Sequence, residues 1–271
     1  MLKPNPLWAA ALAISLPVSA WAERPAESVD LSKFPAASVD DVVVPVPSEI
    51  FLVLDKLGSP NWRGELRSSL GRNTGNRAQV ALLLGTVIAE GFIAVEAEDS
   101  EKVKQIGREV LELAEAINVR KAVIARSKSI TEKAEARDWK AVRVEFDGAL
   151  TDVRGAMEEL GDDDLAQLVS MGGWIRGTEV LTSIVQKNYT EDGAELLHQP
   201  ALLNYFSNRL EGIKNRRLGR DELVVRIRRM LSSIRPLIGK GEGATIPAEN
   251  VKKIHQLTSE TVVAITDSKG A

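Results

Sequence analysis

Apolar side chains recur every three to four positions through most of the chain from residue 48 onward. The clearest runs are 101–117, 139–160 and 222–238, in which polar residues occupy the opposite face of the projected helix. Aromatic residues make up only 4% of the chain, and strand-like alternation is almost absent. The pattern therefore predicts an all-α fold, a multi-helix bundle of about nine or ten helices.

We expect helices at 48–57, 61–70, 79–96, 101–117, 121–137, 139–160, 168–189, 222–238 and 248–267. A further helix is capped by Thr190, is bent or interrupted by Pro200, and continues over 202–213. Side chains with a capping oxygen precede four of them, namely Asn76, Asp99, Asp138 and Thr190. The order of elements also allows two similar halves, because a small-residue apolar helix precedes an amphipathic one at 79–117 and again at 168–213.

Two runs, 79–96 and 168–189, combine an apolar helical period with small residues. Small residues four apart share a face in each of them: Ala81, Gly85 and Ala89 in the first, Gly173 and Gly177 in the second. Such spacing leaves a groove into which another backbone can pack, so it favours direct contact between two helices. The alternative is room for a ligand beside Trp174.

Charged residues interrupt both apolar runs. Glu90 lies between Ile88 and Phe92, where a carboxylate is costly unless it is paired. Arg176 in the second run is the best partner, because its planar fork can bind a carboxylate with two hydrogen bonds. We therefore predict a Glu90–Arg176 pair. Its role is either architecture or, with Glu179 and Trp174, the polar contacts of a ligand site.

The N-terminal 22 residues have the three parts of a secretory signal peptide. Lys3 precedes a short apolar core, and Ala20-Trp21-Ala22 provides a small-residue cleavage motif before Glu23. We expect cleavage there, a periplasmic or secreted protein, an extended linker at 23–47 with a short strand near 42–46, and one helical domain at 48–271. Because the chain has no cysteine, disulfides, thiol nucleophiles and Cys-ligated metals are excluded.

No motif for cofactor binding is present, and no cofactor is expected. The histidines, His198 and His255, lack the spacing that places two metal ligands on one helical face. The segment GGWIRGTEVL resembles the last part of the G-x-H-x-x-E motif of imelysin-like proteins, which are exported and all-helical. Arg176 stands where that motif has its histidine, and Trp174 where it has its glycine. We therefore transfer neither a metal site nor an activity.

Charge is distributed unevenly. The segment 209–240 holds ten basic and three acidic residues and carries +7, whereas the whole chain carries −3. Four of its arginines are candidate ligand-binding residues: Arg226, Arg228, Arg229 and Arg235. Arg228 and Arg235 lie seven apart and could form a two-arginine anion site. The alternative is that the segment packs against the chain's own acids at 158–164.

The leading interpretation is a non-enzymatic envelope protein that binds a partner protein or an anionic surface through this basic segment. Export disfavours nucleic acid as the partner. A transmembrane span in the mature chain is not expected, because the apolar run 79–95 is short and contains Glu90. The alternative function is a hydrolase or metal-dependent enzyme with a site near 168–189. The sequence leaves substrate and oligomeric state open.

Overall fold

The computed structural model describes residues 60–68, 76–239, 241 and 244–267, together with the backbone of two short strands at 37–39 and 42–44. The predicted signal peptide at 1–22 and the predicted helix at 48–57 lie outside the described residues.

Helices form nearly all of the described structure, and the all-α prediction is confirmed. Eight helices of this described part have twelve or more residues, and three have five or fewer. In chain order they are α1 (Trp62–Glu65), α2 (Arg77–Glu96), α3 (Ser100–Ala116), α4 (Arg120–Glu135), α5 (Trp139–Glu159), α6 (Asp163–Lys187), α7 (Glu191–Glu195), α8 (Pro200–Glu211), α9 (Arg216–Gly219), α10 (Glu222–Ile234) and α11 (Ala248–Thr266).

A short hairpin lies within the predicted linker. Its strands, β1 (Ala37–Val39) and β2 (Val42–Val44), are antiparallel, and Ala37 is opposite Val44. The second strand overlaps the strand expected near 42–46.

The predicted N-caps are confirmed. Asn76 Oδ1 accepts hydrogen bonds from the backbone N–H groups of Ala78 and Gln79 at the start of α2. Single capping bonds of the same kind are made by Asp99 for α3, Asp138 for α5 and Thr190 for α7. Pro200 is the first residue of α8, where its missing N–H costs nothing, so it begins a helix rather than bending one.

Two predicted helices are too long. The one at 61–70 is a single turn, α1, because Leu66 adopts an extended conformation with φ −67° and ψ 135°. The one at 222–238 ends at Ile234 and continues as a turn. Pro236 follows this end and lacks the N–H that would extend the helix.

Helices α2 and α6 lie side by side at the centre of the fold. They run parallel, since Arg77 binds Asp162 near their N-terminal ends and Glu90 binds Arg176 further along. Helix α2 also packs against α3, α5 and α11, while α4 packs on α3 and α5. Helix α10 packs on α8 and α11. This arrangement explains why α2 and α6 lack the single apolar stripe of a surface helix.

Glycines bring the two central backbones into direct contact. A Cβ on Gly85 would lie 1.8 Å from the carbonyl oxygen of Val169, and a Cβ on Gly172 would lie 2.0 Å from that of Leu82. The contact is reciprocal, because each glycine faces the carbonyl three positions before the other glycine. A Cβ on Gly173 would lie 3.4 Å from the carbonyl oxygen of Gly85, whereas one on Gly177 would meet nothing within 4 Å. The expected Gly173–Gly177 groove is therefore corrected to a contact of Gly85 with Gly172 and Gly173. The proposed similarity of two whole halves stays a prediction.

Helix α2 is the one helix of the described residues that is long and apolar enough to cross a membrane, with a mean hydropathy of 1.9 over its most apolar stretch. Every residue from 78 to 95 is buried inside the protein. The central helix of a globular protein has the same properties, so this composition is weak support for a membrane span.

Candidate functional sites

Glu90, Arg176 and Glu179 form a buried ionic cluster between α2 and α6. Arg176 donates from Nε to Glu90 Oε2 and from Nη1 to Glu179 Oε2, both at 2.8 Å. The side chain of Glu90 is fully buried and that of Arg176 is 3% exposed. The predicted Glu90–Arg176 pair is confirmed; a ligand-binding role for these residues stays a prediction.

The segment 60–68 completes the cluster. The backbone N–H of Arg67 donates to Glu90 Oε1, and Arg67 Nη2 donates to Glu179 Oε1 at 2.9 Å. Arg176 Nη2 donates in turn to the backbone carbonyl of Glu65. Both oxygens of each buried carboxylate therefore accept a hydrogen bond, and Ser259 also donates to Glu179. The Arg176 guanidinium donates through all three nitrogens.

Sequence reasoning missed Arg67 and Glu65. The segment was expected to be a helix, in which the Arg67 N–H would donate to the carbonyl of Arg63 and the Glu65 carbonyl would accept from the residue four positions later. Its extended conformation after Glu65 instead turns the N–H of Arg67 and the carbonyl of Glu65 toward core side chains. The Glu65 carboxylate also accepts hydrogen bonds from Ser183 and Lys187 near the end of α6.

Electrostatics favour the ionised form of the Glu179 carboxyl. Burial alone would raise the pKa of the Glu179 carboxyl, but the charges of Arg176 and Arg67 outweigh burial and hold that pKa below its ordinary value. A carboxylate held in this way is a poor general acid or base near neutral pH. The arrangement is suited to holding the segment 60–68 against α2 and α6.

Trp174 lies on another side of α6. Its indole N–H donates to Gln199 Oε1 at 3.2 Å, and its ring packs on Phe206 of α8 with 5.3 Å between centroids. It lines a mostly apolar cavity of about 10 Å³, which is room for about one water molecule. Trp174 and the ionic cluster therefore do not form one site.

The two histidines take part in structural hydrogen bonds. His198 Nδ1 lies 2.8 Å from the carbonyl oxygen of Ile238, which ties the turn after α10 to the turn before α8. His255 Nδ1 lies 3.1 Å from Thr182 Oγ1 and 3.2 Å from the carbonyl oxygen of Glu179. Over the described ranges, no three His, Asp or Glu residues are grouped closely enough to hold a metal ion.

Six basic residues of the segment 209–240 are exposed and have neither an ion pair nor a side-chain hydrogen bond with a described residue: Lys214, Arg216, Arg217, Arg220, Arg226 and Arg229. We call them the basic surface. They belong to α9, α10 and the residues flanking α9, and these two helices pack against each other. Two exposed acids, Glu211 and Glu222, lie in the same stretch of chain.

The other two candidate arginines donate hydrogen bonds within the protein. Arg228 donates to the carbonyls of Gly219, at the end of α9, and Leu210, in the last turn of α8. It therefore satisfies carbonyls that helix ends leave without partners. Arg235 is exposed, but its guanidinium donates to Asn204 and Ser207 of α8. Both guanidinium groups are therefore bonded within the protein, and the two-arginine anion site at Arg228 and Arg235 stays a prediction.

The acids at 158–164 find other partners. Asp162 Oδ2 accepts from Arg77 at 2.6 Å, and Glu158 lies 4.0 Å from Arg154 on its own helix. No residue of the basic surface pairs with them in the described structure. The alternative in which the basic segment neutralises these acids is therefore not what the structure shows.

Comparison with known proteins yields no match to the chain among family models, curated proteins or solved structures. The resemblance to the imelysin-like motif is accordingly confined to the few residues around Arg176.

Proposed function

We propose that this chain is an exported, non-enzymatic envelope protein that docks onto an anionic partner through the basic surface. The observation that carries the proposal is the set of six exposed basic side chains without an acidic partner among the described residues. By contrast, Arg228, on the same helix as Arg226 and Arg229, donates hydrogen bonds to backbone carbonyls inside the protein.

Charge and chemistry both support docking. Five of the six basic residues are arginines, whose planar guanidinium groups bind phosphates and carboxylates with paired hydrogen bonds. The segment 209–240 carries +7 and the rest of the chain carries the opposite sign. An anionic partner would attract the segment 209–240 and repel the rest of the chain. The protein would therefore approach the partner with this segment foremost.

Binding of the mature protein to soluble polyphosphate at low and high salt tests the proposal. We expect binding that falls steeply with salt, and a loss of about 100-fold in affinity for Arg226→Glu with Arg229→Glu, because two attractions become repulsions. The matched control is Arg108→Glu with Lys121→Glu, which changes the net charge equally at exposed sites on α3 and α4. Equal losses in the two variants would contradict a localised binding surface.

The alternative function, a hydrolase or metal-dependent enzyme with a site near α6, has less support. The glycine contact between α2 and α6 is filled by backbone, and the charged groups beside it are bonded to one another. Trp174 lies apart from them, against α8.

Export is the second part of the proposal, and its support is the pattern of residues 1–22. Expression in a bacterial host with a secretion pathway should give a protein whose N-terminus is Glu23 in the envelope fraction. Intact-mass measurement checks this. A cytoplasmic product that retains Lys3 would contradict export and leave the charge-based docking to be judged separately.

A further inference from the structure

We infer that the anionic partner is a phospholipid bilayer, bound at its surface by headgroup contacts and without insertion. This inference rests on the proposed docking through the basic surface and adds the chemistry of the partner.

The first argument is the absence of apolar anchors. Protein–protein interfaces concentrate their binding energy in a few large, buried apolar or aromatic side chains. The large exposed hydrophobic residues of the described chain all lie elsewhere, namely Ile124, Val144, Leu160, Tyr189 and Val263. The described part of 213–239 offers charge without such an anchor, which disfavours a folded protein partner.

The second argument is the spread of the basic side chains. They extend from Lys214 through α9 to Arg229, and Arg226 and Arg229 are one turn apart on α10. One small anion can bind only two or three neighbouring guanidinium groups. An extended array of phosphates, such as the headgroups of a bilayer, can contact more of these side chains at once.

The third argument is the identity of these side chains. Arginine is better matched than lysine to phosphate, because its planar fork places two donors against two oxygens. The lack of an exposed apolar anchor disfavours a protein partner. It also predicts that no part of the basic surface enters the hydrocarbon region of the bilayer, since insertion requires a large apolar face. The expected complex is peripheral and reversible by salt.

Sedimentation with large unilamellar vesicles tests the inference. We use the mature protein, vesicles of phosphatidylcholine with about one-third phosphatidylglycerol, and vesicles of phosphatidylcholine alone. We expect binding only to the anionic vesicles. Replacing Arg226 and Arg229 by glutamine should lower the partition coefficient roughly 25-fold, because each basic residue near an anionic leaflet contributes about fivefold. The control, Arg108→Gln with Lys121→Gln, should change it less than about threefold.

A second measurement tests the peripheral geometry. The protein should leave the surface pressure of a phosphatidylglycerol monolayer unchanged, because the large apolar residues beside the basic surface, Ile213, Leu218 and Leu223, are partly buried against the core and none is fully exposed.

The outcomes separate the two claims. Binding to polyphosphate without binding to anionic vesicles would overturn the bilayer inference and leave the proposed docking intact. Failure to bind either would overturn both. Equal binding to neutral and anionic vesicles, or a rise in surface pressure, would show association through apolar insertion and would also overturn the inference.

Discussion

The arginines of this protein fall into two groups, those bonded in the interior and those exposed at the surface. Arg176 is almost completely buried and fully bonded, whereas Arg226 and Arg229 are exposed and make no ion pair with a described residue. Burying a charge is costly, and its ionic partners repay the cost only when their geometry is good. The arginines available to a partner are therefore those whose side chains make no bond within the described structure.

Removing Arg176 should expose that cost. Arg176→Met would leave Glu90 buried with only the Arg67 N–H as a donor, so we expect a loss of about 3–5 kcal/mol in the free energy of unfolding. Urea denaturation measures it. The control is Arg120→Met, which removes the exposed pair with Glu115 and should cost less than about 1 kcal/mol. Similar losses in both variants would show that the buried cluster is not an essential part of the core.

Glu145 should make stability depend on pH. Burial would raise the pKa of this carboxyl, but hydrogen bonds from Lys133, Arg126 and Ser129 outweigh burial and lower its pKa to about 2, from an ordinary 4.5. Because the folded pKa is the lower one, the stabilisation is complete above pH 4.5 and is lost as the pH falls toward 2. Arg126 and Lys133 are partly exposed, so we expect about 2 kcal/mol after allowance for solvent screening.

The difference in unfolding free energy between wild type and Glu145→Gln, measured from pH 6 to pH 2, checks this prediction. It should shrink over the lower part of that range. The same comparison for Glu115→Gln at its exposed pair provides the control. A difference for Glu145→Gln that does not change with pH would contradict the argument.

At the scale of elements, the fold depends on how closely α2 approaches α6. Gly85 and Gly172 let each backbone reach the other helix's carbonyl oxygens, and Thr86 Oγ1 lies 3.4 Å from the carbonyl of Gly172 across the same contact. Such short distances allow Cα–H···O contacts as well as dispersion. Gly177, on α6 itself, takes no part in the contact.

This difference between glycines of one helix pair is testable. Gly85→Ala should destabilise the protein by at least about 2 kcal/mol, because its Cβ would force the backbones apart. Gly177→Ala has open space for its Cβ and should stabilise α6 by up to about 1 kcal/mol, through helix propensity. Thermal denaturation of the two variants gives the comparison. Equal effects would mean that the helices are not packed backbone against backbone.

Some of these contacts could be predicted from the sequence, and others could not. A carboxylate within an apolar run requires a base, and Arg176 was the base in the other apolar run, so the Glu90–Arg176 pair followed. The choice of Gly172 over Gly177 depends on the rotation of α6, and each residue turns a helix by about 100°. The sequence alone does not distinguish the structural role of Arg228 from the exposed position of Arg226, because the role of Arg228 depends on where α8 and α9 end.

At the scale of the whole molecule, positive charge is concentrated in one segment of the chain and negative charge in the rest. The segment 209–240 carries +7 in a chain whose total is −3, and most of its described basic residues face solvent. A molecule with this distribution meets an anionic surface in a preferred orientation. The strength of such an encounter depends on how many ions both partners release, so it must vary with salt.

The salt dependence of affinity for polyphosphate tests this account most directly. We predict that log affinity falls linearly with log salt for the wild type, and that Arg226→Gln with Arg229→Gln reduces the slope by about two, or about one for each basic residue lost. Arg108→Gln with Lys121→Gln should leave the slope unchanged. A wild-type affinity that does not vary with salt, or the same slope in all three proteins, would contradict docking through the basic surface.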